Sequence, residues 1–441
     1  MSGSLVEVVA VDDRTVAREV GPDRLATLVA QVADFIENKR DDPKPKVTPR
    51  RTMLQVLAGP LAEFRSLVAV VDHPIVRQDG SWVRLRGYDD ESHRWVNVPP
   101  SFPEVPSAPT KDHAVDAMRV VRKVVEEFPF VEPERGFATW LAFVLTLTLR
   151  TELRGPFPLF LIFAPTADGK GLGKTKLALL GSLIVNGRSA PVTNLQQSKT
   201  KVNDEEIERT LTTFLFEPAV VFDNLRLVGG GPLDAFITSR SWSAREMRTS
   251  RARRTDIMPV VAATANAPQI VGDTDRRCVV LPLHGEPGRW REKQFTTENI
   301  EQYVEDRRHD LLAAVLTIVA AYRQARPTAP KLRPFGSFET WRVVREMVVW
   351  LGLPDPLVLW EDVTGQPPDA VEVLRAEGAV SRATAKTAKE LLESTNPVTT
   401  AWRALLGEEQ PTVQLLSRRL KAAEVSTATT NKGAIFWTRS G

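Results

Sequence analysis

The chain has 441 residues, with 58 basic and 55 acidic side chains and a formal net charge of +3. This length exceeds one typical domain, so we expect two or three units around a core large enough to be stable alone. Apolar and charged fractions near the usual averages exclude a largely disordered chain. The small net charge indicates no partner by itself, because only local clustering of basic residues would do so.

Export and membrane insertion are not indicated. Cys278 is the single cysteine, which excludes an intrachain disulfide and a cysteine-based zinc site and is typical of a reducing cytosol. The first residues, MSGSLVEVVAVDDR, lack the apolar stretch of a secretory signal. The longest apolar runs, Phe137 to Leu149 and Leu311 to Tyr322, are shorter than the ~20 residues that span a bilayer and predict buried helices. We expect a cytoplasmic protein without a membrane role.

Residues 1 to 110 predict a small N-terminal α+β module. Asp23 to Glu37 shows helical spacing, and Ser66 to Val98 shows strand-like runs with a turn at Asp79-Gly80. Pro99 to Pro109 carries five prolines and marks the boundary with the next section.

Residues 111 to 325 predict an α/β core with a helical lead-in. Apolar residues recur at helical spacing from Lys111, and a second helix covers Phe137 to Leu149. Pro158 to Ala164 is a short apolar run typical of a buried parallel strand, and the helix Lys174 to Val185 follows it. Three more buried strands are predicted at Ala219 to Phe222, Pro259 to Ala263 and Cys278 to Leu283.

Residues 326 to 441 predict a C-terminal helical and winged-helix-like domain. An aromatic-rich helix over Ser337 to Leu351 follows several proline breaks. The chain closes with a helix over Thr412 to Ala423, which carries three basic residues, and a strand over Ala434 to Thr438. Such a module either holds duplex nucleic acid or braces the rest of the molecule. No internal repeat is visible.

The loop between the strand ending at Ala164 and the helix starting at Lys174 has the chemistry of a phosphate-binding loop. It ends in Gly-x-Gly-Lys-Thr, in which glycines permit the tight turn and backbone N–H groups face phosphate oxygens. Lys174 would hold the β and γ phosphates of ATP, and Thr175 would supply a hydroxyl to Mg²⁺. Asp168 stands where the eight-residue pattern has glycine, so the loop is re-registered around Gly169. The predicted nucleotide-binding residues are Gly169, Gly171, Leu172, Gly173, Lys174, Thr175 and Lys176.

A carboxylate follows the next apolar strand. Asp223 ends Ala219 to Phe222, at the edge where open α/β sheets bind ligands, and is predicted to bind Mg²⁺. Asn224 stands beside it, where a glutamate would serve as the catalytic base; asparagine cannot accept a proton. Glu217 and Asp234 are the alternative bases.

Two further polar sites follow. Asn266 ends the strand VVAATA and is suited to orienting the attacking water. Arg276 and Arg277 precede the strand that starts at Cys278, where one of them could reach a neighbouring subunit's γ-phosphate. The alternative for these arginines is a surface ion pair with Asp273 or Asp275.

The stretch from Arg240 to Arg254 holds six arginines and one acid, Glu246. This charge excess is typical of a segment that contacts phosphates, here a hairpin pointing into a ring pore. The alternative is an ordinary basic loop. The predicted nucleic-acid contacts are Arg245, Arg248, Arg251, Arg253 and Arg254.

The order GKGLGKT, VVFDN, an arginine-rich segment, VVAATANAP and GDTDRR resembles superfamily 3 helicases of the AAA+ class. The pieces VEEFPFVEP, FLIFAPTADGKGLGKT and FGSFETWRVVREMVVWLGLPDP resemble replication proteins (primase-helicases) of phages, prophages and plasmids. The resemblance implies an α/β P-loop AAA+ ATPase core, a homo-oligomeric hexameric ring with ATP and Mg²⁺ between subunits, and single-stranded DNA in the pore. Nothing upstream carries the carboxylates or zinc cysteines of an active primase.

The leading hypothesis is therefore an ATP-hydrolysing DNA helicase or translocase that replicates a mobile element. Two other classes of protein stay open. One is a DNA-binding initiator or regulator in which nucleotide acts only as a switch, an idea that Asn224 favours. The other is an AAA+ machine that remodels proteins, which the arginine-rich stretch disfavours.

Overall fold

The computed structural model describes residues 5–11, 14–35, 49, 51–57, 64–84, 86–165, 169, 171–195, 202–245, 252–256, 259–285, 297, 299–364, 370–396, 399, 403, 412–422, 425–430 and 433–437. The chain forms two compact units, Met1–Val358 and Leu359–Gly441. Among the described helices, none is both long and apolar enough to cross a membrane.

The chain opens with β1 (Val6–Val11), β2 (Arg14–Glu19), α1 (Pro22–Ala30) and α2 (Arg51–Leu57). The two strands form an antiparallel hairpin, and a proline in the first turn favours the start of α1. The helix ends before the predicted Glu37. Val32, an apolar residue beyond its end, is 84% exposed and therefore has no core to pack against.

Short strands follow: β3 (Ala69–Val71), β4 (Ile75–Val76), β5 (Trp82–Val83), β6 (Arg86–Asp89) and β7 (Arg94–Asn97). They form a sheet of order β3-β7-β6 and a β4-β5 hairpin. The predicted turn at Asp79-Gly80 is confirmed, because the Gly80 N–H donates to the Arg77 carbonyl at 2.9 Å and Gly80 has φ +83°.

Two helices lead into the core: α3 (Lys111–Arg122) and α4 (Pro133–Leu153). Thr110 caps α3 by accepting a hydrogen bond from the backbone N–H of His113. Helix α4 extends the predicted span Phe137 to Leu149 at both ends, from Pro133 at its start to Arg154 in the left-handed conformation after its end. Most of α4 is buried, so it forms part of the hydrophobic core.

A five-stranded sheet lies at the centre. Its elements in chain order are β8 (Leu159–Ala164), α5 (Lys174–Asn186), β9 (Val192–Thr193), α6 (Asp204–Thr213), β10 (Ala219–Gly229), α7 (Gly231–Thr238), β11 (Ser241–Arg245), β12 (Ala252–Asp256), β13 (Val260–Val271) and β14 (Cys278–Pro282). The sheet order is β14-β8-β13-β10-β9, and every pairing is parallel. The predicted α/β core is therefore present, and β8 is buried along its whole length.

Strands β10 and β13 run beyond their predicted ends. Asn224 and Ala267 adopt positive φ values of 53° and 42°, and the register between the two strands shifts near Leu225. Left-handed residues bend the strands at this point. Asp223 consequently lies at a bend inside β10, although the sequence pattern predicted that the strand ends there.

Three more helices complete the first unit: α8 (Ile300–Asp306), α9 (Arg308–Ala325) and α10 (Arg342–Trp350), the last preceded by a 3₁₀ turn, Glu339–Trp341. Helix α9 packs against α3 and α5. The indole Nε1 of Trp341 donates to Thr146 Oγ1 of α4 at 2.8 Å, which satisfies both buried polar groups.

The short strands β3 to β7, called the front strands below, contact the core helices α4 and α9 through hydrogen bonds and ion pairs. Arg323 of α9 donates to the Val76 carbonyl at 2.6 Å and pairs with Glu152 of α4 at 2.6 Å. Gln324 donates to the Gly80 carbonyl at 2.8 Å. A Cβ on Gly80 would lie 2.4 Å from the Gln324 side chain, so only glycine permits this close approach.

The second unit contains α11 (Trp360–Thr364), α12 (Ala370–Ala376), β15 (Lys386–Thr387), α13 (Ala388–Glu393), α14 (Val413–Ala422), β16 (Ser426–Thr430) and β17 (Gly433–Trp437). The strands form an antiparallel sheet of order β15-β17-β16. Its core includes Leu391, Leu416, Leu420 and Phe436. The predicted last helix and last strand are confirmed to within a residue at each end.

Candidate nucleotide-binding site

The loop between β8 and α5 has the backbone of an anion cradle. Gly171 and Gly173 adopt φ values of 85° and 81°, which side chains with a Cβ rarely adopt. No side chain caps the first turn of α5, so its backbone N–H groups are available to an anion. Residues 166–168 and 170 lie outside the described residues, and Asp168 with them.

Phe128 packs against the end of this loop. A Cβ on Gly173 would lie 2.9 Å from Phe128 Cε1. The backbone of the same segment pairs with the sheet edge, because the His284 N–H donates to the Pro129 carbonyl at 2.8 Å. The sequence did not indicate this position of Phe128 beside the glycine loop, which is a finding of the structure.

Lys174 points back across the loop. Its Nζ donates to the Gly169 carbonyl at 2.6 Å and to Asn266 Oδ1 at 2.8 Å. The side chain is only 8% exposed, and burial lowers the pKa of Lys174, while the charge of Asp223 acts in the opposite direction. Among the described residues, no carboxylate forms an ion pair with this ammonium group, which leaves its charge available to an anionic ligand.

Asp223 collects two hydroxyl groups. Its Oδ1 accepts hydrogen bonds from Thr175 Oγ1 at 2.5 Å and from Thr264 Oγ1 at 2.8 Å. The hydroxyl of Thr264 in turn accepts from the backbone N–H of Asn224 at 2.8 Å. A hydroxyl and a carboxylate side by side are hard oxygen donors that suit Mg²⁺.

The two asparagines face each other between the strands. Asn266 Nδ2 donates to Asn224 Oδ1 at 3.2 Å, and the same Asn266 accepts from Lys174. Because β13 lies between β8 and β10, Asn266 stands between the phosphate loop and Asp223. The structure thus brings Lys174, Thr175, Asp223, Asn224 and Asn266 into one network.

Two other predicted nucleotide-binding residues, Leu172 and Lys176, have side chains engaged within the protein. Leu172 is buried. Lys176 Nζ pairs with Glu301 of α8 at 3.4 Å, with both side chains well exposed. The Lys176 side chain is therefore engaged away from the hydroxyl and carboxylate pair.

Arg276 and Arg277 lie at the amino ends of the central strands, opposite to the carboxyl ends where the phosphate loop lies. The Leu159 N–H donates to the Arg277 carbonyl at 3.2 Å, and Leu159 begins β8, whereas the phosphate loop follows its end at Ala164. Five steps of a parallel strand amount to ~16 Å. Both guanidinium groups pair with Asp273, the alternative that the sequence left open. Arg276 is 64% exposed.

Neither alternative base lies at the phosphate loop. Asp234 accepts a hydrogen bond from Thr274 Oγ1 at 2.6 Å and is 3.7 Å from Arg277, which places it at the far edge of the sheet. Glu217 precedes the start of β10 and pairs with Arg188 at 2.7 Å. Within one chain, therefore, neither carboxylate stands where a general base for the phosphate loop would lie.

The arginine-rich stretch contains an antiparallel hairpin of β11 and β12, with Ser241 opposite Asp256 and Arg245 opposite Ala252. The second strand is 252–256. The sequence predicted flanking strands at Arg240 to Met247 and Thr255 to Ala263, and the second of these is wrong in part, since residues from Val260 belong to the central sheet. Arg253 and Arg254 lie in β12 opposite Ala244 and Ser243; Arg248 and Arg251 lie outside the described residues.

The base of this hairpin is anchored to the core. Trp242 Nε1 donates to Thr212 Oγ1 of α6 at 3.1 Å, and the Trp242 ring meets Phe236 of α7 edge-on at 5.2 Å. Edge-on aromatic contacts of this kind fix orientation as well as bury area. The hairpin therefore starts from a defined position on the first unit.

No protein-family model and no curated protein sequence matches the chain. Among solved structures, the A form apo structure of the NrS-1 C-terminal region is 12% identical, covers 95% of this chain and 100% of its own, and has a TM-score of 0.36. The X-ray structure of JCV helicase is 14% identical, covers 55% and 67%, and has a TM-score of 0.25. A second JCV helicase structure, with a bound small molecule, has the same values. These values are too low to assign the chain a family or an activity.

Proposed function

We propose that this chain is an ATP-hydrolysing motor that acts on nucleic acid, most specifically a ring-forming DNA helicase or translocase. The observation that carries the proposal is the network at the carboxyl ends of the central strands, where Lys174, Thr175, Asp223 and Asn266 meet beside an uncapped helix N-terminus. Ligands of open α/β sheets bind at this edge.

The residues present fit a magnesium nucleotide. The N–H groups of the loop and of the first turn of α5 would hold phosphate oxygens, and Lys174 would neutralise the β and γ phosphates. Thr175 and Asp223 would hold Mg²⁺, Asp223 through water; the ion would supply charge neutralisation during phosphoryl transfer. Asn266 would orient the attacking water, because its amide group already reaches Lys174.

A ring is supported by the position of Arg276 and Arg277. Within one chain these arginines lie at the edge of the sheet that faces away from the phosphate loop, about 16 Å along β8. An arginine there does not reach the nucleotide site of its own chain, so any role in hydrolysis would be at the site of another subunit. Exposed Arg276 is the better placed of the two.

Nucleic acid as the track is supported by the β11–β12 hairpin. The hairpin overlaps the sequence run from Arg240 to Arg254, which has six arginines in fifteen residues, and Trp242 anchors it to α6 and α7, the elements that flank Asp223 in the sequence. A shift of α6 or α7 on nucleotide binding or hydrolysis would thus move the β11–β12 hairpin and its arginines. The replicative role in a phage or other mobile element follows from the motif resemblance, and we propose it on that ground.

A second candidate function has one observation in its favour. Asn224 occupies the position beside Asp223 and donates its backbone N–H to Thr264; it cannot act as a base. Among the described residues, Asp223 is the carboxylate that reaches Thr175. A protein that binds nucleotide but hydrolyses it very slowly would use it as a switch for DNA binding.

ATP turnover with and without single-stranded DNA separates these functions. We expect DNA-stimulated turnover in the wild type and its loss in Lys174→Ala, because that variant lacks the charge that would neutralise the β and γ phosphates. Each tenfold loss in rate corresponds to about 1.4 kcal/mol of transition-state stabilisation. Lys123→Ala removes an exposed lysine of the same charge and should leave turnover unchanged. Tight ATP binding without turnover would support the switch, and full turnover in Lys174→Ala would place the site elsewhere.

A further inference from the structure

The second unit presents a positively charged helix face that the nucleotide site does not use. Helix α14 packs against α13 and buries Leu416 and Leu420 in the core of this unit. Gln414, Arg418 and Lys421 are exposed. Spacings of four and three residues place these three side chains in one stripe, opposite the buried leucines.

The charge of this face is of one sign. Helix α14 has the sequence VQLLSRRLKA, with three basic residues and no acid. None of the hydrogen bonds or ion pairs found among the described residues uses the Arg418 or Lys421 side chain. A surface that only stabilises the fold normally mixes both signs, so this stripe indicates an anionic partner.

A β-hairpin follows the helix directly. Strands β16 and β17 pair from Ser426 opposite Trp437 to Thr430 opposite Gly433. Thr427 and Thr429 are exposed and stand two residues apart, so their hydroxyl groups share one face of the ribbon. Hydroxyl groups of this kind contact DNA phosphates.

We propose that α14 and the β16–β17 hairpin form a binding surface for B-form duplex DNA, with α14 in the major groove. An α-helix fits the width of that groove, where Gln414 and Arg418 would meet base edges and Lys421 a phosphate. The threonine hydroxyls of β16 would contact the neighbouring backbone. This surface belongs to the second unit, whereas the arginine-rich hairpin belongs to the first.

A duplex fits this surface better than a single strand. Single-strand sites stack bases on exposed aromatic rings. In the described part of the second unit no aromatic side chain is exposed, since Phe436 is buried and Trp360 and Trp437 are partly buried. Duplex RNA fits less well, because its deep and narrow major groove excludes a helix.

The test is salt-titrated binding of the full chain, without nucleotide, to a blunt-ended DNA duplex and to a single-stranded oligonucleotide. Arg418→Ala/Lys421→Ala removes one base contact and one phosphate contact, so it should flatten the duplex salt slope by about 0.9 and weaken duplex binding about tenfold or more. Single-strand binding and ATP turnover should stay at the wild-type level. Because no nucleotide is present, a failed ATPase proposal does not alter this result.

Three controls decide the interpretation. Lys123→Ala/Lys331→Ala removes two exposed lysines from the first unit and should leave the slope unchanged. Arg418→Lys/Lys421→Arg keeps the charge and should keep the slope, which separates lost contacts from misfolding. An unchanged duplex slope in the alanine variant, an equal loss of single-strand binding, or tighter binding of duplex RNA would each overturn the proposal.

Discussion

Thr264 joins the two halves of the candidate site through a single hydroxyl group. It donates to Asp223, which also accepts from Thr175, and it accepts from the Asn224 backbone N–H. Thr264 itself is only 1% exposed. The sequence offered one signal for it, a polar side chain inside an otherwise apolar strand, which alternation alone could not distinguish from a strand residue that packs in the core.

Thr264→Val should lower ATP turnover about tenfold or more, since it leaves the Asn224 N–H without its acceptor and removes one of two donors to Asp223. A hydrogen bond to a charged group, such as the one from Thr264 to Asp223, contributes about 1.5–3 kcal/mol. Steady-state turnover is the measurement, and Thr264→Ser should restore the rate. Thr317→Val is the matched control, because that buried hydroxyl donates to a carbonyl of its own helix. Wild-type turnover in Thr264→Val would contradict the assigned role.

His73 should make stability depend on pH. Desolvation lowers the pKa of His73 from 6.5 to about 4, and its Nδ1 lies 2.8 Å from the Pro74 carbonyl. The unfolded chain therefore binds a proton first as the pH falls. The contribution to stability is full above pH 6.5 and is lost as the pH falls towards 4.

Urea unfolding of the wild type and of His73→Gln at pH values on both sides of that window measures this effect. The variant should lose less stability on acidification than the wild type, because glutamine does not titrate. His309, whose pKa is also lowered by burial, is present in both proteins and cancels in the comparison. Equal pH dependence in the two proteins would show that His73 is not the titrating group.

At the scale of elements, the sequence predicted the central strands, which are marked by apolar runs, and the helix that follows the glycine-rich loop. The strands that start near Leu159, Ala219, Val260 and Cys278 and the helix at Lys174 lie where predicted. The β1–β2 hairpin was missed, because its short valine-rich runs lack a glycine turn. The bends at Asn224 and Ala267 were also missed, since they depend on the pairing of two strands distant in sequence.

The β11–β12 hairpin carries a prediction of its own. Arg248 and Arg251 belong to the segment between Arg245 and Ala252, the last paired residues. Replacing both with alanine should flatten the salt slope of single-strand binding by about 1.4 and weaken binding to all sequences alike. Unwinding should then fail while ATP binding survives, because Lys174 and Asp223 are intact.

Salt-titrated binding to an oligonucleotide measures the change, and the Lys123→Ala/Lys331→Ala variant controls for net charge. A double variant with the wild-type slope and affinity would show that the two arginines contact no DNA. Such a result would not affect the proposed ATP site. It would contradict the proposal that this hairpin contacts single-stranded DNA in a ring pore.

At the scale of the whole molecule, the sequence suggested boundaries near residues 110 and 325, and these stay predictions. The structure divides the chain at Val358 and Leu359. The proline-rich stretches that suggested the earlier boundaries predict breaks in secondary structure. They do not predict whether the segments on either side pack together, which depends on contacts such as Trp341 with Thr146.

The ring hypothesis makes a prediction about mixtures. Arg276→Ala and Lys174→Ala should each be inactive alone, because one lacks the residue supplied to the neighbour and the other lacks the loop lysine. Mixed rings pair an intact loop with an intact arginine at some interfaces, so the mixture should recover part of the turnover. Turnover should also depend on protein concentration.

Arg277→Ala is the companion variant, since Arg277 is mostly buried beside Asp234 and Asp273. A loss of turnover confined to Arg276→Ala would assign the role in the neighbouring site to Arg276. No recovery in any mixture would instead indicate that each subunit hydrolyses ATP alone.

The bonds between the front strands and the core helices restrict how this protein can have diversified. Arg323, Gln324 and Arg308 direct their side chains to Val76, Gly80 and Asp72. A lineage that lost the front strands would keep these polar groups without their partners, at a cost of several kcal/mol for the buried charges. Recombination between related genes is therefore expected to exchange residues 64 to 325 together.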